Sequence, residues 1–69
     1  MTFYEYLKNR PYSEWETKSL VSETLLDLDE VKLISHSDDL YKILDYHDMN
    51  DLYTMTRDLY MEYRNVRIR

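Results

Sequence analysis

A chain of 69 residues with no cysteine has to hold itself together by packing alone. Disulfides, thiolate zinc sites and thiol nucleophiles are all excluded. So short a chain makes one domain at most, and it buries only about 60% of its unfolded surface. Small domains often add disulfides or a structural metal to a thin core. Without cysteine, efficient helix packing or self-association must do that work.

Glycine is absent too, as are alanine and glutamine. Phosphate-cradling loops and dinucleotide-binding fingerprints need glycine where the backbone approaches phosphate, so both are excluded. A nucleophile elbow also needs glycine. The N-terminus Met1-Thr2-Phe3-Tyr4-Glu5 has neither a basic region nor an apolar run, and no apolar stretch reaches membrane-spanning length. The expectation is a soluble, cytoplasmic protein.

Nine Lys and Arg face fourteen Asp and Glu, a formal net charge of −5. Arg64, Arg67 and Arg69 lie in the last six residues, which hold no acid. Residues 1–63 therefore carry six bases against the same fourteen acids, a charge of −8. An acidic body repels phosphate, whose binding rests on clustered Lys and Arg. A basic partner protein suits it better.

The hydrophobic period is helical throughout. Thr2 and Glu5 form a capping-box pattern opening a helix to Asn9, with Phe3, Tyr6 and Leu7 on one face. Pro11 ends it, because the residue before proline is pushed out of the helical region. Ser13 with Glu16 repeats the pattern and predicts a second helix to about Asp29, striped by Thr17, Val21, Thr24, Leu25 and Leu28. Trp15 falls off that stripe and is expected to cover the joint between these helices. Val31, Leu33 and Ile34, in the connection to His36, are expected to tuck under the bundle.

Ser37 is the expected cap of a third helix, with Asp38 and Asp39 near its N-terminal dipole and Leu40, Ile43, Leu44 and His47 inward. Asn50 or Asp51 opens the last helix, to about Arg64, with Leu52, Met55, Thr56, Leu59 and Tyr63 as its stripe. Leu52-Tyr53 is a candidate separate turn before it. Only Val31–Ile34 could be a strand, and it has no partner to pair with. The fold class is therefore all-α, a compact bundle of four to five short helices over residues 1–64, with a frayed basic tail at 65–69.

Candidate chemistry is sparse. Asp27 to Asp38 spans twelve residues and is acidic, as a calcium loop would be. Its sixth position is Lys32 where that loop needs glycine, and its twelfth is Asp38 where it needs a bidentate glutamate. His47 with Asp48 or Asp51, plus His36, has no metal-site spacing. His47 reads as a partly buried core-edge histidine and His36 as a turn residue. Ser13 and Ser37 are explained as caps. No enzymatic activity, cofactor, metal or small-molecule substrate is expected.

The aromatic and charged surface is more informative. Tyr53 and Tyr60 are seven apart on one flank of the last helix, with Arg57 between them, and Tyr46 lies on the outer side of the third helix. Met61 is also expected to be exposed. Tyr and Arg are enriched at binding hot spots, which makes Tyr53, Arg57, Tyr60 and Tyr46 the candidate protein-binding residues. The plainer reading is edge-of-core packing with wet hydroxyls.

Phe3-Tyr4-x-Tyr6-Leu7, then His36-Ser37 leading into Leu40, Ile43 and Tyr46, then Asp58-Leu59-Tyr60, resemble the YozE-type family of small bacterial proteins. The resemblance covers most of the chain and implies a sterile-alpha-motif-like (SAM-like) helical bundle. The linker Arg10-Pro11-Tyr12 is shorter than that family's and the 29–36 connection longer. Sterile-alpha-motif domains mediate protein–protein association, often head-to-tail through the start of the last helix, here Asn50 to Thr54, and some bind RNA.

Three functions follow as expectations. The first is a non-enzymatic protein-interaction module, whose partner is another protein or a second copy of itself. The second is an acidic inhibitor from a phage or plasmid that mimics nucleic acid against a basic host protein, using Glu23, Asp27, Asp29, Glu30, Asp38 and Asp39. The third is weak nucleic-acid binding through helix ends and the arginine tail, which the net charge disfavours.

Overall fold

Thr2 is the first determinant of the fold. Its hydroxyl accepts the Glu5 amide N–H at 3.1 Å and starts α1, Phe3–Asn9. The Thr2 hydroxyl also donates to the Glu5 carboxylate at 3.2 Å, so the pair closes on itself. The computed structural model describes the backbone of residues 1–68 and the side-chain surroundings of residues 1–66. Within that range the chain is a bundle of α1, α2 (Thr17–Leu26), α3 (Ser37–Tyr46) and α4 (Tyr53–Ile68). Two short 3-10 helices, Asp29–Leu33 and Asn50–Leu52, link α2 to α3 and α3 to α4. No strand occurs among the described residues.

One core joins these elements. Phe3 and Leu7 of α1, Val21 and Leu25 of α2, Leu40 and Leu44 of α3, and Leu59 and Tyr63 of α4 are buried together, with Leu28 and Val31 from the linking segment. The radius of gyration is 11.1 Å. A compact chain of this length is expected at about 11 Å, so the core is fully collapsed.

The second helix starts later than Ser13 and Glu16 predict. Residues 14 and 15 form a turn and the first helical residue is Thr17. The reason is that Glu16 is taken by Arg10, with Nη1 to Oε1 at 2.6 Å. The Ser13 amide instead donates to the Ser19 hydroxyl at 3.1 Å, and that hydroxyl donates to Glu16 at 3.0 Å. The helix also ends earlier, at Leu26. Trp15 does not cover the α1–α2 joint: it is 90% exposed. The α1–α2 joint instead holds an open cavity of about 190 Å³, with Leu7, Arg10, Pro11, Ser22 and Leu26 in its lining.

The linking segment divides its apolar residues. Val31 is fully buried and Ile34 half-buried, whereas Leu33 is 85% exposed, against expectation. The segment winds as a 3-10 helix, and its threefold period turns Leu33 outward when Val31 points in.

At α3 the cap is His36, and Ser37 is the first helical residue. Asp39 sets this start by accepting the amide N–H groups of Ser35 at 3.0 Å and His36 at 3.2 Å. The C-terminus of α3 solves its turn without glycine. Asp48 adopts φ 57°, the left-handed conformation. The Asp48 amide bonds Asp45 O at 3.1 Å and the Met49 amide bonds Leu44 O at 2.8 Å. That is the paired hydrogen-bond pattern of a Schellman motif, with half-buried Met49 against the core.

The expected turn before the last helix is present as Asn50–Leu52, and α4 begins at Tyr53. Thr56, Leu59 and Tyr63 are buried, with Leu52 and Met55 half-buried, as the stripe predicts. The helix runs past Arg64, where its end was expected, to Ile68. No proline or glycine follows Arg64 to stop it. The side chain of Arg67 and the whole of Arg69 lie outside the described residues.

Candidate interaction surface

The sequence-chosen residues divide among three places. Tyr53 is half-buried and its ring stands edge-on to Tyr41 of α3, centroids 5.2 Å apart. Its hydroxyl donates to the Asp45 carboxylate and, at 3.5 Å, toward Tyr41 O. The Asp45 bond stabilises the protonated phenol and pushes the Tyr53 pKa up to about 12. Tyr53 therefore clamps the start of α4 to α3.

Tyr46 sits at the C-terminal end of α3 and is 83% exposed, with its ring edge-on to His47 at 5.1 Å. His47 lies against Glu30 of the first 3-10 helix, Nε2 to Oε2 at 3.3 Å. This matches the core-edge role expected of His47. Tyr46, Ile43, Lys42, His47 and Glu30 line one shallow depression.

Arg57 and Tyr60 come together in the third place. They line a groove of about 310 Å³ between α3 and α4. Ser37, Asp38, Leu40 and Tyr41 form the α3 wall, and Thr56, Arg57, Tyr60, Met61 and Arg64 the α4 wall. Tyr60 packs its inner edge on Phe3 at 5.3 Å and Tyr63 at 5.6 Å, which fixes the ring that the groove presents. Met61 is 50% exposed. Arg57 and Arg64 are exposed and make no ion pair among the described residues. Thr56 is fully buried at this wall and its hydroxyl has no hydrogen-bond partner among the described residues.

The groove was partly legible. Arg57, Tyr60, Met61 and Arg64 stand at i, i+3, i+4 and i+7, the spacing of one helix face. Sequence reasoning placed Arg64 at the end of the last helix and grouped it with the C-terminal arginines, and so missed that it belongs with Arg57. The α3 wall, Asp38 and Tyr41 above all, needed the packing of the two helices to be seen.

The six acids are not equivalent. Asp39 is committed to the Ser35 and His36 amides, which hold its carboxyl below the ordinary range. Glu30 is lowered by its own backbone N–H and then by His47. Asp29 faces Lys32 at 3.8 Å. Glu23, Asp27 and Asp38 are exposed and have no ion pair among the described residues.

No group of three or more His, Asp or Glu among the described residues is arranged to hold a metal ion, and no helix there is long and apolar enough to cross a membrane. Comparison with family models, curated proteins and solved structures finds no match to this chain.

Proposed function

We propose that this chain is a non-enzymatic protein-interaction module of the YozE-type, SAM-like kind, working in the cytoplasm and needing no cofactor. The observation that carries the reading is the α3/α4 groove, where exposed Arg57 and Met61 flank the half-buried ring of Tyr60 on one face of α4. Tyr and Arg are enriched at binding hot spots, and Met is enriched at interfaces. Supporting the fold analogy, Phe3, Leu7, Leu40 and Leu59 of the resembling motifs are core residues here. Fold analogy by itself assigns no activity, so the surface carries the argument.

A photo-crosslinking amino acid at position 61, compared with one at exposed Leu20 on α2, tests it in cells. The expected result is a discrete protein adduct from position 61 and none from position 20. Equal labelling from both positions, or none from either, counts decisively against the module.

The acidic-inhibitor reading draws on Glu23 and Asp27, exposed and unpaired on α2 and its C-cap. Its partner would be a basic protein, bound less tightly as salt rises. Charge reversal at Asp27, Asp29 and Glu30 that leaves partner capture unchanged eliminates it.

A further inference from the structure

We infer that the occupant of the α3/α4 groove is an acidic, amphipathic helical segment of a partner protein, anchored by a bulky apolar side chain between two carboxylates. The inference rests on the interaction-module reading and names the partner's chemistry.

Charge comes first. The chain has a net charge of −5, yet the two guanidinium groups on this face have no ion-pair partner among the described residues. By contrast, Arg10 is satisfied by Glu16 and Glu62, and Lys18 by Glu62. Fourteen acids were available to neutralise Arg57 and Arg64. Their absence leaves a local positive edge on a negative molecule. A basic partner is repelled from this edge and drawn to the body.

Spacing comes second. Arg57 and Arg64 are seven residues apart on one helix, so about 10 Å separates them along the axis. Tyr60 and Met61 lie between them and supply an apolar seat. Carboxylates at i and i+7 of a partner helix have the same separation, with an apolar residue at i+3 or i+4 facing the seat. A groove between two helices that takes a third by such anchors is a known recognition mode. The available volume of about 310 Å³ holds anchoring side chains, with the partner's backbone outside.

Asp38 on the α3 wall sharpens the choice. A continuous phosphate backbone in the groove would meet its carboxylate as well as the arginines. A helix with discrete acids avoids it by register. Nucleic acid is therefore disfavoured relative to an acidic helix.

The test uses the full chain and a pair of synthetic helical peptides. One carries Glu at two positions seven apart with Leu at the fourth position between them, and the other replaces both Glu by Lys. Binding is followed by peptide fluorescence anisotropy and by amide NMR shifts at low and moderate salt. The acidic peptide is expected to bind, to weaken as salt rises, and to shift amides around Arg57–Arg64 and Ser37–Tyr41. The double variant R57E/R64E should lose tenfold or more in affinity with an unchanged circular dichroism spectrum, since both side chains are exposed. M61K is a second, independent probe of the apolar seat and should also weaken binding.

Three outcomes overturn the inference: no binding of the acidic peptide, equal binding of the Lys peptide, or affinity unchanged in R57E/R64E. Dimerisation of the free chain that R57E/R64E abolishes gives the groove to a second copy and overturns it as well. Single-stranded oligonucleotide binding tighter than the acidic peptide, lost in the same variant, does likewise. If position 61 still crosslinks a protein while the acidic peptide fails, only the partner chemistry is wrong and the module reading stands.

Discussion

Arg10 and Glu62, 52 residues apart in sequence, meet with Nε 3.1 Å from Oε2. The guanidinium also reaches Glu16 at 2.6 Å and the Ser19 hydroxyl at 3.4 Å. Glu62 in turn accepts from the Tyr6 hydroxyl at 3.2 Å and from Lys18 at 3.4 Å. The end of α1, the approach to α2 and the middle of α4 are thus tied at one point. The Arg10 side chain is only 11% exposed, so these partners, more than water, compensate its charge.

Arg10→Ala should therefore destabilise the fold. Removing one partner from a fully buried pair costs about 3–5 kcal/mol. Glu62 is one-third exposed, which moderates the penalty, and about 2 kcal/mol is the expected loss. For a domain this small that lowers Tm by roughly 10 °C. Glu62→Gln keeps the shape and should cost less. Thermal melts of both single variants and the double variant check the coupling. Strict additivity of the two would mean that the pair does not act as a unit.

The same network sets the response to acid. Burial alone would raise the Glu62 carboxyl, but hydrogen bonding and charge from Arg10, with Tyr6 and Lys18, outweigh it and hold the group below its ordinary 4.5. Glu16 is lowered first by its hydrogen bond to Arg10 and then by Ser19. A folded pKa below the unfolded one gives stability that is fully present above about 4.5 and is lost as pH falls through the folded value. The denaturation midpoint should hold from neutral pH to about 5 and then drop, as these carboxylates take up protons. Glu62→Gln should make that acid limb shallower. An acid limb identical in the variant and the parent removes Glu62 from the explanation.

Asp48 carries the one left-handed backbone conformation among the described residues. A residue with a Cβ pays about 1–2 kcal/mol there, less for Asp, and glycine pays none. Glycine costs more to order from the unfolded chain, so Asp48→Gly should gain only about 0.5 kcal/mol. Asp48→Val, which resists this conformation, should lose about 1–2 kcal/mol. Chemical denaturation followed by circular dichroism measures both. If Asp48→Gly destabilises by as much as Asp48→Val, the φ of 57° is not what matters at this position.

The fold was legible where one residue's periodicity decided it. Phe3, Leu7, Leu25, Leu40, Leu44 and Leu59 were read as inward from 3.6-residue spacing, and all are buried. What the sequence hid were choices between rival partners. Glu16 fits a capping box with Ser13, but Arg10 offers it a charged bond at 2.6 Å, and the helix start moves to Thr17. Leu33 turned outward because its segment follows a threefold period instead of the α-helical one. Of the candidate site, Arg57 and Tyr60 were visible as neighbours on a flank. Their companions Asp38 and Tyr41 required α3 to be laid against α4. Tyr53 shared the spacing of Tyr60 yet was captured by Asp45.

Trp15 gives a direct check on how the α1–α2 joint is built. It is the sole tryptophan, and it lies in the turn before α2 with 90% of its surface exposed. Had it covered the α1–α2 joint, burial of a ring of this size would have tied its emission to folding. The ring is exposed in the fold, so Trp15 sits in water in both folded and unfolded states. Its fluorescence should therefore have a water-exposed emission maximum in the native protein and shift little through the transition seen by far-UV circular dichroism. Acrylamide should quench it about equally before and after unfolding. Trp15→Ala should leave the melting temperature within about 2 °C of the parent, as expected for a surface change of under 0.5 kcal/mol. A native emission strongly blue-shifted from the denatured one would mean that the indole is packed and that Trp15 covers the joint.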